Sequence, residues 1–392
     1  MQFAKRSEGI NSSFIRDILN LTKNKDIISF AGGLPNPELF PTDEFASAAE
    51  NILKDPKLSK EALQYGQSAG YRPLIEIIAK SYKIKDNLDI DPDLILITNG
   101  SQQGLDLISK IFINEKDRVL LEGPTYLAAL QSMQFYRPEF YSVQLEKDGP
   151  KKESLNSAPK DPRLFYCIPN FQNPSGISWS NEKRKLVADF AASQGILLVE
   201  DDPYGEIRFE GERPLPLKTF YDNTIMLGSF SKILAPGLRL GWIIAPNKEF
   251  FEKLLFAKQA ADLHTSQFTQ MIAAKFYENF DSQAHIEKIS QVYKKQKDVL
   301  VKALREYLPD FCFNDIQGGM FLWGSFPEEI DTLSLLDFAV KEGVAYVPGI
   351  AFFAKDFQKH NFARLNFSNS QEEDIILGVR RLKKAYEKYK EQ

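Results

Sequence analysis

Short apolar runs along the chain are separated by longer stretches whose apolar residues recur at helical spacing. LILIT (94–98) precedes QQGLDLISKIF (102–112), and RVLLE (118–122) precedes YLAALQSMQF (126–135). LFYCI (164–168) is followed by NEKRKLVADFAASQG (181–195) and then by ILLVE (196–200). Two more strand-like runs, IMLG (225–228) and LRLGWIIA (238–245), flank a Pro-Gly turn. Strands alternating with amphipathic helices predict an α/β fold, a parallel or mixed sheet with helices on both faces, from Pro41 to Phe280. Beyond it, residues 281–308 predict one long helix, with Ile286, Ile289, Val292 and Val299 on its apolar face. Short strands near 319–324 and 362–367 and a polar helix over 371–389 complete a second, α+β unit. The first forty residues are expected to pack against it. The expected division is a large domain, 41–280, and a discontinuous small domain, 1–40 and 281–392.

Composition narrows the function. A chain of 392 residues with 43% hydrophobic and 26% charged residues has the balance of an ordinary globular protein. Its net charge of −4 argues against a nucleic-acid partner. The longest apolar runs are far too short to cross a bilayer, so no membrane partner is expected. MQFAKRSEGINSS, at the N-terminus, has no apolar stretch of signal-peptide length, and a cytoplasmic location follows as the expectation. Cys167 and Cys312 are the only cysteines, and His264, His285 and His360 show no ligand spacing. Neither a disulfide framework nor a metal site is expected.

The chemistry collects where apolar runs end. In TNGSQQG (98–104) a strand passes into a helix, whose first N–H groups are free to bind an anion. Ser101 and Gln102 add side-chain donors. The helix dipole contributes only ~0.3–1 kcal/mol, against roughly 1.5–3 kcal/mol for each hydrogen bond to a charged group. Side-chain donors and an arginine must therefore supply most of any phosphate affinity. Alone, the segment is equally an ordinary capped turn. PNFQNPSG (169–176) reads as a rigid turn, in which Pro174 restricts Asn173 and aims its amide. In EDDPY (200–204), Asp201 ends an apolar strand and needs a cationic partner, with Tyr204 three residues on. GSFSKILAPGLRLGW (228–242) puts Ser229, Ser231 and Lys232 on a loop at a strand end, with Arg239 after the Pro-Gly turn.

These features together demand a ligand with a phosphate for Ser101, Gln102, Ser229 and Arg239, a cation for Asp201, and a group that reacts with Lys232. Pyridoxal phosphate meets all three demands. Its aldehyde condenses with a lysine amine, and its ring nitrogen, protonated beside a carboxylate, makes the ring an electron sink. Asn173 and Tyr204 can hydrogen-bond the ring hydroxyl, and Tyr126, in GPTY (123–126), can stack on the ring.

With SFAGGLPNPELFP (29–41), LQYGQSAGYRPL (63–74) and ARLNFS (363–368), these motifs resemble those of the class I/II aminotransferases. Those are pyridoxal-phosphate enzymes of fold type I, and the likeness is strongest to the 2-aminoadipate and kynurenine/2-aminoadipate branch. The motifs run from near the N-terminus to residue 368 and are highly specific in combination. One departure is Ser175, where the family more often has threonine; the hydroxyl is kept. The resemblance implies a mostly parallel seven-stranded sheet flanked by helices, plus a smaller α+β domain from both chain ends. It implies Lys232 as the Schiff-base lysine, Asp201 as partner of the pyridine nitrogen, and Asn173 and Tyr204 on the ring hydroxyl. Tyr126 lies against the ring, and Ser101, Gln102, Ser229 and Arg239, with Ser231 beside them, form the phosphate cup. Tyr65 matches a tyrosine that reaches the neighbouring subunit's phosphate, which implies a homodimer with shared active sites. Arg364 matches the arginine that binds the substrate carboxylate through its guanidinium fork. Gly33 and Asn173 belong to the implied substrate contacts, and Arg16, in the helical SFIRDILNL (13–21), matches an arginine that contacts an acidic side chain.

The implied reaction moves an amino group from an L-amino acid, with 2-aminoadipate or glutamate favoured over aromatic donors, to a 2-oxo acid such as 2-oxoglutarate. A pyridoxal-phosphate lyase or synthase, or an aromatic or branched-chain aminotransferase, shares the same cofactor residues. A regulator that fuses this fold to a DNA-binding domain needs a winged helix ahead of it. The aminotransferase pattern starts within about the first sixteen residues, so such a regulator is not expected.

Overall fold

The structure, a computed structural model, describes residues 3–7 and 26–391. Arg16 and the helix expected over 13–21 lie outside the described residues. The larger sheet runs, edge to edge, through Ile95–Thr98, Gly241–Ile244, Thr224–Ser229, Leu197–Asp202, Leu164–Cys167, Arg118–Gly123, Glu139–Glu146 and Gly149–Pro150. Six of these strands point the same way. Gly241–Ile244 is antiparallel to both its neighbours, and Gly149–Pro150 turns back as a hairpin edge. The sheet therefore has eight strands where seven were expected; the additional one is this two-residue edge, turned by Gly149 at φ 136°.

Strands 95–98, 164–167 and 224–229 are buried at every position. Helices cover both faces, which is why these strands read as continuous apolar runs with no alternation. On one face, Leu96, Leu121, Val199 and Ile225 join the main core with Leu105 and Ile108 of helix Ser101–Phe112. On the other, Leu120, Phe165 and Leu198 pack against Val187 and Ala191 of helix Asn181–Gln194. No described helix is long and apolar enough to cross a membrane.

A second sheet, antiparallel throughout, is ordered Cys312–Phe313, Phe321–Ser325, Phe362–Asn366 and Val347–Pro348. Ile28–Ser29 pairs in parallel with Val344–Ala345, so the early part of the chain joins the late part. Helix Ser282–Tyr307 packs against the final helix, Glu372–Lys390. Its buried face runs through Ile286, Ile289, Tyr293, Gln296 and Leu300, with Val292 and Val299 only half-buried at the margin. The real stripe follows a spacing of three and four residues; the two valines were read one position off it.

Strand direction places the chemistry. The six co-directional strands all end at one edge, and the segments after 98, 123, 167, 202 and 229 emerge there together. Gly241–Ile244 starts at that same edge because it runs backwards, which returns Arg239 to it. The expected strand over 238–245 is shorter, since Pro236–Leu238 form a single tight turn and Arg239 adopts φ 52° before the strand begins.

One buried polar network pins this edge from behind. Arg184, fully buried, donates to the carbonyls of Trp179 (3.1 Å), Leu215 (3.2 Å) and Pro169 (2.9 Å) and to Asn170 Oδ1 (2.7 Å). It also lies 3.5 Å from the buried carboxylate of Glu200. Removing one partner of a buried pair strands the other charge in a low-dielectric interior. Arg184→Leu should therefore destabilise the protein by about 3–5 kcal/mol in urea unfolding. A loss under about 1 kcal/mol would show that Glu200 needs no compensating charge.

Candidate active site

A cavity of 370 Å³ opens where the strand ends of the large sheet meet the small sheet and the segment after Phe30. Ser101, Gln102, Tyr126, Asn173, Asp201, Tyr204, Ser229, Ser231, Lys232 and Arg239 all line it, joined by Gly33 and Arg364. Of the residues singled out in the sequence, two are not among them. Tyr65 is 78% exposed, with its ring edge-on to His264 at 5.8 Å, and does not line this chain's cavity. Arg16 lies outside the described residues.

One end of the cavity is a cup of donors. Helix Ser101–Phe112 begins there, preceded by Gly100 at φ 72°. A Cβ on Gly100 would stand 2.7 Å from Arg239 Nη2, so only glycine lets the guanidinium lie over this turn. Arg239 spends one bond on Pro236 O (3.2 Å) and a longer one on Asn99 O (3.4 Å). Ser229 Oγ accepts from Ser231 N–H at 3.1 Å, which ties the loop that carries Lys232. Free helix N–H groups, hydroxyls and a guanidinium around one concavity are the donor set for a phosphate.

Asp201 also lines the cavity and is 1% exposed. Its Oδ2 accepts from Tyr166 Oη at 2.8 Å, while Oδ1 is buried without a partner among the described residues. No cation among the described residues pairs with it. Burial raises its pKa to about 7, against the opposing pull of the Tyr166 hydrogen bond. A buried acceptor left open in this way fits a ligand N–H⁺. The neighbouring carboxylates are already satisfied. Asp202 accepts from Asn170 Nδ2 (2.9 Å) and Gly205 N–H (2.8 Å), and Glu200 from Leu217 N–H (2.9 Å).

Lys232 Nζ donates to Gly33 O at 2.8 Å. Burial, and then the positive charges of Arg364 and Arg239, lower its pKa to about 8. Arg364, on strand 362–366, is buried between Phe321 and Phe352, whose ring centroids lie 4.3 and 4.9 Å from its guanidinium carbon. It donates to Asn173 Oδ1 (2.9 Å) and Ala31 O (2.6 Å), but its Nε has no partner among the described residues. Burial lowers its pKa to about 10. Burial likewise pushes the Tyr126 phenol up to about 12 and raises Tyr204 further.

Comparison with known proteins decides the family. The model of the aminotransferase class I and II family matches residues 36–382. The chain is 43% identical to aromatic-amino-acid aminotransferase 1 of Thermococcus litoralis, over 97% of this chain and 93% of that one. The chain belongs to the class I and II aminotransferases. A multiple substrate aminotransferase of Thermococcus profundus superposes with a TM-score of 0.92 at 40% identity, over 100% of this chain and 98% of that one. An α-aminoadipate aminotransferase of Thermus thermophilus, solved with N-(5′-phosphopyridoxyl)-L-leucine, gives 0.89 at 37% identity, over 98% and 97%.

This aminotransferase is therefore a fold-type-I transaminase that depends on pyridoxal phosphate. The cavity fits that cofactor on its own chemistry: an open buried acceptor on Asp201, a donor cup for the phosphate, and an amine of lowered pKa. Sequence reasoning passed over Tyr166 and Phe321. Tyr166 had a signal, since a phenol in the wholly buried strand Leu164–Cys167 needs a partner for its hydroxyl. Phe321 had none, because its role depends on Arg364 from a different strand.

The open carboxylate sets a pH dependence. The folded-state pKa of Asp201 lies above its ordinary 3.8, so its protonated form favours folding. That contribution is complete below 3.8 and lost as pH rises through about 7. In cofactor-free protein, Asp201→Asn should thus melt several degrees above wild type at pH 8, with the gap closing towards pH 5. A melting-temperature difference that does not vary with pH would show that Asp201 is not the strained carboxylate.

Proposed function

We propose that this aminotransferase moves the amino group of an L-amino acid to 2-oxoglutarate, with 2-aminoadipate and glutamate as preferred donors and aromatic amino acids accepted beside them. The observation that carries the reading is the unpartnered Nε of buried Arg364, on the same cavity as Lys232. A buried guanidinium with one N–H free suits a substrate α-carboxylate, and hydrogen bonds to charged groups are worth roughly 1.5–3 kcal/mol each. The relative from Thermococcus litoralis is named for aromatic donors and that from Thermus thermophilus for α-aminoadipate, at similar identity to this chain. Leu127 and Phe321 in the cavity wall favour an apolar side chain. Arg16, through its match to an arginine of the 2-aminoadipate branch, favours an acidic one.

Pyridoxal phosphate supplies an electron sink for the pair left when the substrate's α-proton departs. The chain's own residues do the rest. Lys232 Nζ, its pKa lowered to about 8, carries a far larger neutral fraction at physiological pH than an ordinary lysine; it takes the α-proton as base and returns a proton as acid. Arg364 and Asn173, already bonded to each other, fix the carboxylate end of the substrate. Asp201 Oδ1 would hold a proton on the ring nitrogen, and Tyr126 would lie against the ring. Ser101, Gln102, Ser229 and Arg239 hold the phosphate, with Ser231 bracing Ser229. Tyr204 and Asn173 take the ring hydroxyl.

The division into a large unit over 41–280 and a small one from both chain ends is supported by the two separate sheets. Exposed Leu63 and Tyr65 support a homodimer in which Tyr65 reaches the partner's phosphate. A cytoplasmic location belongs to the same proposal.

The visible absorption of the purified enzyme tests the reading. Its cofactor band should bleach with L-2-aminoadipate and return with 2-oxoglutarate, and Lys232→Ala should reduce turnover below about 10⁻² of wild type. A band unmoved by acidic and aromatic donors alike would point to the lyase. In a donor panel, Arg16→Gln should weaken acidic donors alone; equal losses for both classes would remove its specificity role. Sedimentation should give a dimer, and Tyr65→Phe should loosen pyridoxal phosphate by about tenfold while leaving the dimer intact. A monomeric active enzyme would overturn the shared site.

A further inference from the structure

Behind the donor cup, outside the cavity, lies a charged pair that the reaction does not use. Lys258, on helix Lys248–Asp262, has a fully buried side chain. Its ammonium donates to both oxygens of Asp262, at 2.6 and 2.8 Å. Asp262 Oδ2 also accepts from Gln103 Nε2 at 2.8 Å and from Asn99 Nδ2. Gln103 closes the ring by accepting Asn99 N–H through its Oε1 at 2.8 Å. Four donor bonds thus converge on one carboxylate, one from the turn that leads into the cup and one from the first turn of the helix after it. Asn99 O is the acceptor for Arg239 Nη2, and Gly100 gives that guanidinium its room.

The carboxylate is itself held in a strained place. Leu263, directly after it, adopts φ 65° and ψ −58°, a conformation that a residue with a side chain rarely takes. The turn persists because His264 N–H donates to Asp262 O at 2.8 Å and His264 Nε2 accepts from Gly66 N–H at 3.3 Å.

A negative charge in the wall of an anion site repels the anion it helps to seat. A fully buried lysine is likewise costly unless it is paired. Each group answers the other's difficulty. We propose that Asp262 and Lys258 are positioning residues for the phosphate cup: Asp262 fixes the Asn99–Gly100 turn, and Lys258 cancels its charge so that the cup stays favourable to an anion. The proposal rests on the reading of Ser101, Gln102, Ser229 and Arg239 as that cup.

The test is binding by cofactor-free protein, followed by tryptophan fluorescence. Three probes are used: pyridoxal phosphate, inorganic phosphate, and pyridoxal, which lacks the phosphate. Lys258→Met leaves the carboxylate uncompensated and should weaken both phosphate-bearing probes about tenfold, with pyridoxal within about twofold of wild type. Adding Asp262→Asn to that variant removes the stray charge and should recover part of the loss. Unchanged anion affinity in folded Lys258→Met, or an equal loss for pyridoxal, overturns the proposal. Where Lys258→Met does not fold, Gln103→Met serves. It removes the brace between Asn99 and Asp262 and should weaken the phosphate-bearing probes about threefold, again sparing pyridoxal; no selective loss overturns the proposal. Arg239→Met separates the two levels. If it loosens phosphate and Lys258→Met does not, only the positioning role fails. If neither does, the cup itself has been misread.

Discussion

A carboxylate buried at the end of a central strand, with one oxygen held by Tyr166 and the other open to a cavity, is the constraint around which this aminotransferase is arranged. Three acidic residues follow one another at positions 200–202, and strand geometry sends successive side chains to opposite faces. Glu200 meets Arg184 and Leu217 N–H, and Asp202 meets Asn170 and Gly205 N–H. Asp201, between them, is turned to the cavity with no cation among the described residues to neutralise it. A free carboxylate there is costly to the empty protein, and that cost becomes affinity for a ligand carrying N–H⁺.

The rest of the cavity is cationic, and its charges act on one another. Lys232 titrates low because it is buried beside Arg364 and Arg239, which favours the neutral amine needed for proton transfer. Arg364 remains charged inside an apolar clamp of Phe321 and Phe352, where the ring faces offset part of its lost hydration. Its bonds to Asn173 and Ala31 also link three separate parts of the chain: the small sheet, the turn after strand 164–167, and the segment that follows Phe30. Substrate recognition and the meeting of the two sheets are thus carried by one side chain. The phosphate end depends on a comparable layering, with Arg239 resting on Gly100 and that turn braced from behind by Asn99, Gln103 and Asp262.

Much of this was legible in the chain. Fully buried parallel strands leave continuous apolar runs, and each of the runs at 94–98, 118–122, 164–168, 196–200 and 225–228 became a strand of the large sheet. Ten residues singled out from motifs at the edge of the large sheet line one cavity, because co-directional strands deliver their carboxyl ends there, and Gly33 and Arg364 join them from the other side. The misses have physical causes. Gly149–Pro150 is too short for any pattern to register, and the start of strand 241–244 was masked by a tight turn made of apolar residues. Tyr166, Phe321, Lys258 and Asp262 act through partners that the sequence does not place beside them.

By itself, then, the sequence determined the alternation of elements, the residue types at strand ends and the chemistry those types can perform, since all three depend on local spacing. Only the tertiary structure decided that Glu200 and Asp202 are satisfied within the protein while Asp201 keeps an open oxygen, that Arg364 stands within bonding distance of Asn173 across 191 residues, and that Lys258 neutralises a charge behind the cup. Those outcomes depend on burial and on contacts between distant segments. Both are properties of the packed chain, and neither is written in the neighbours of any one residue.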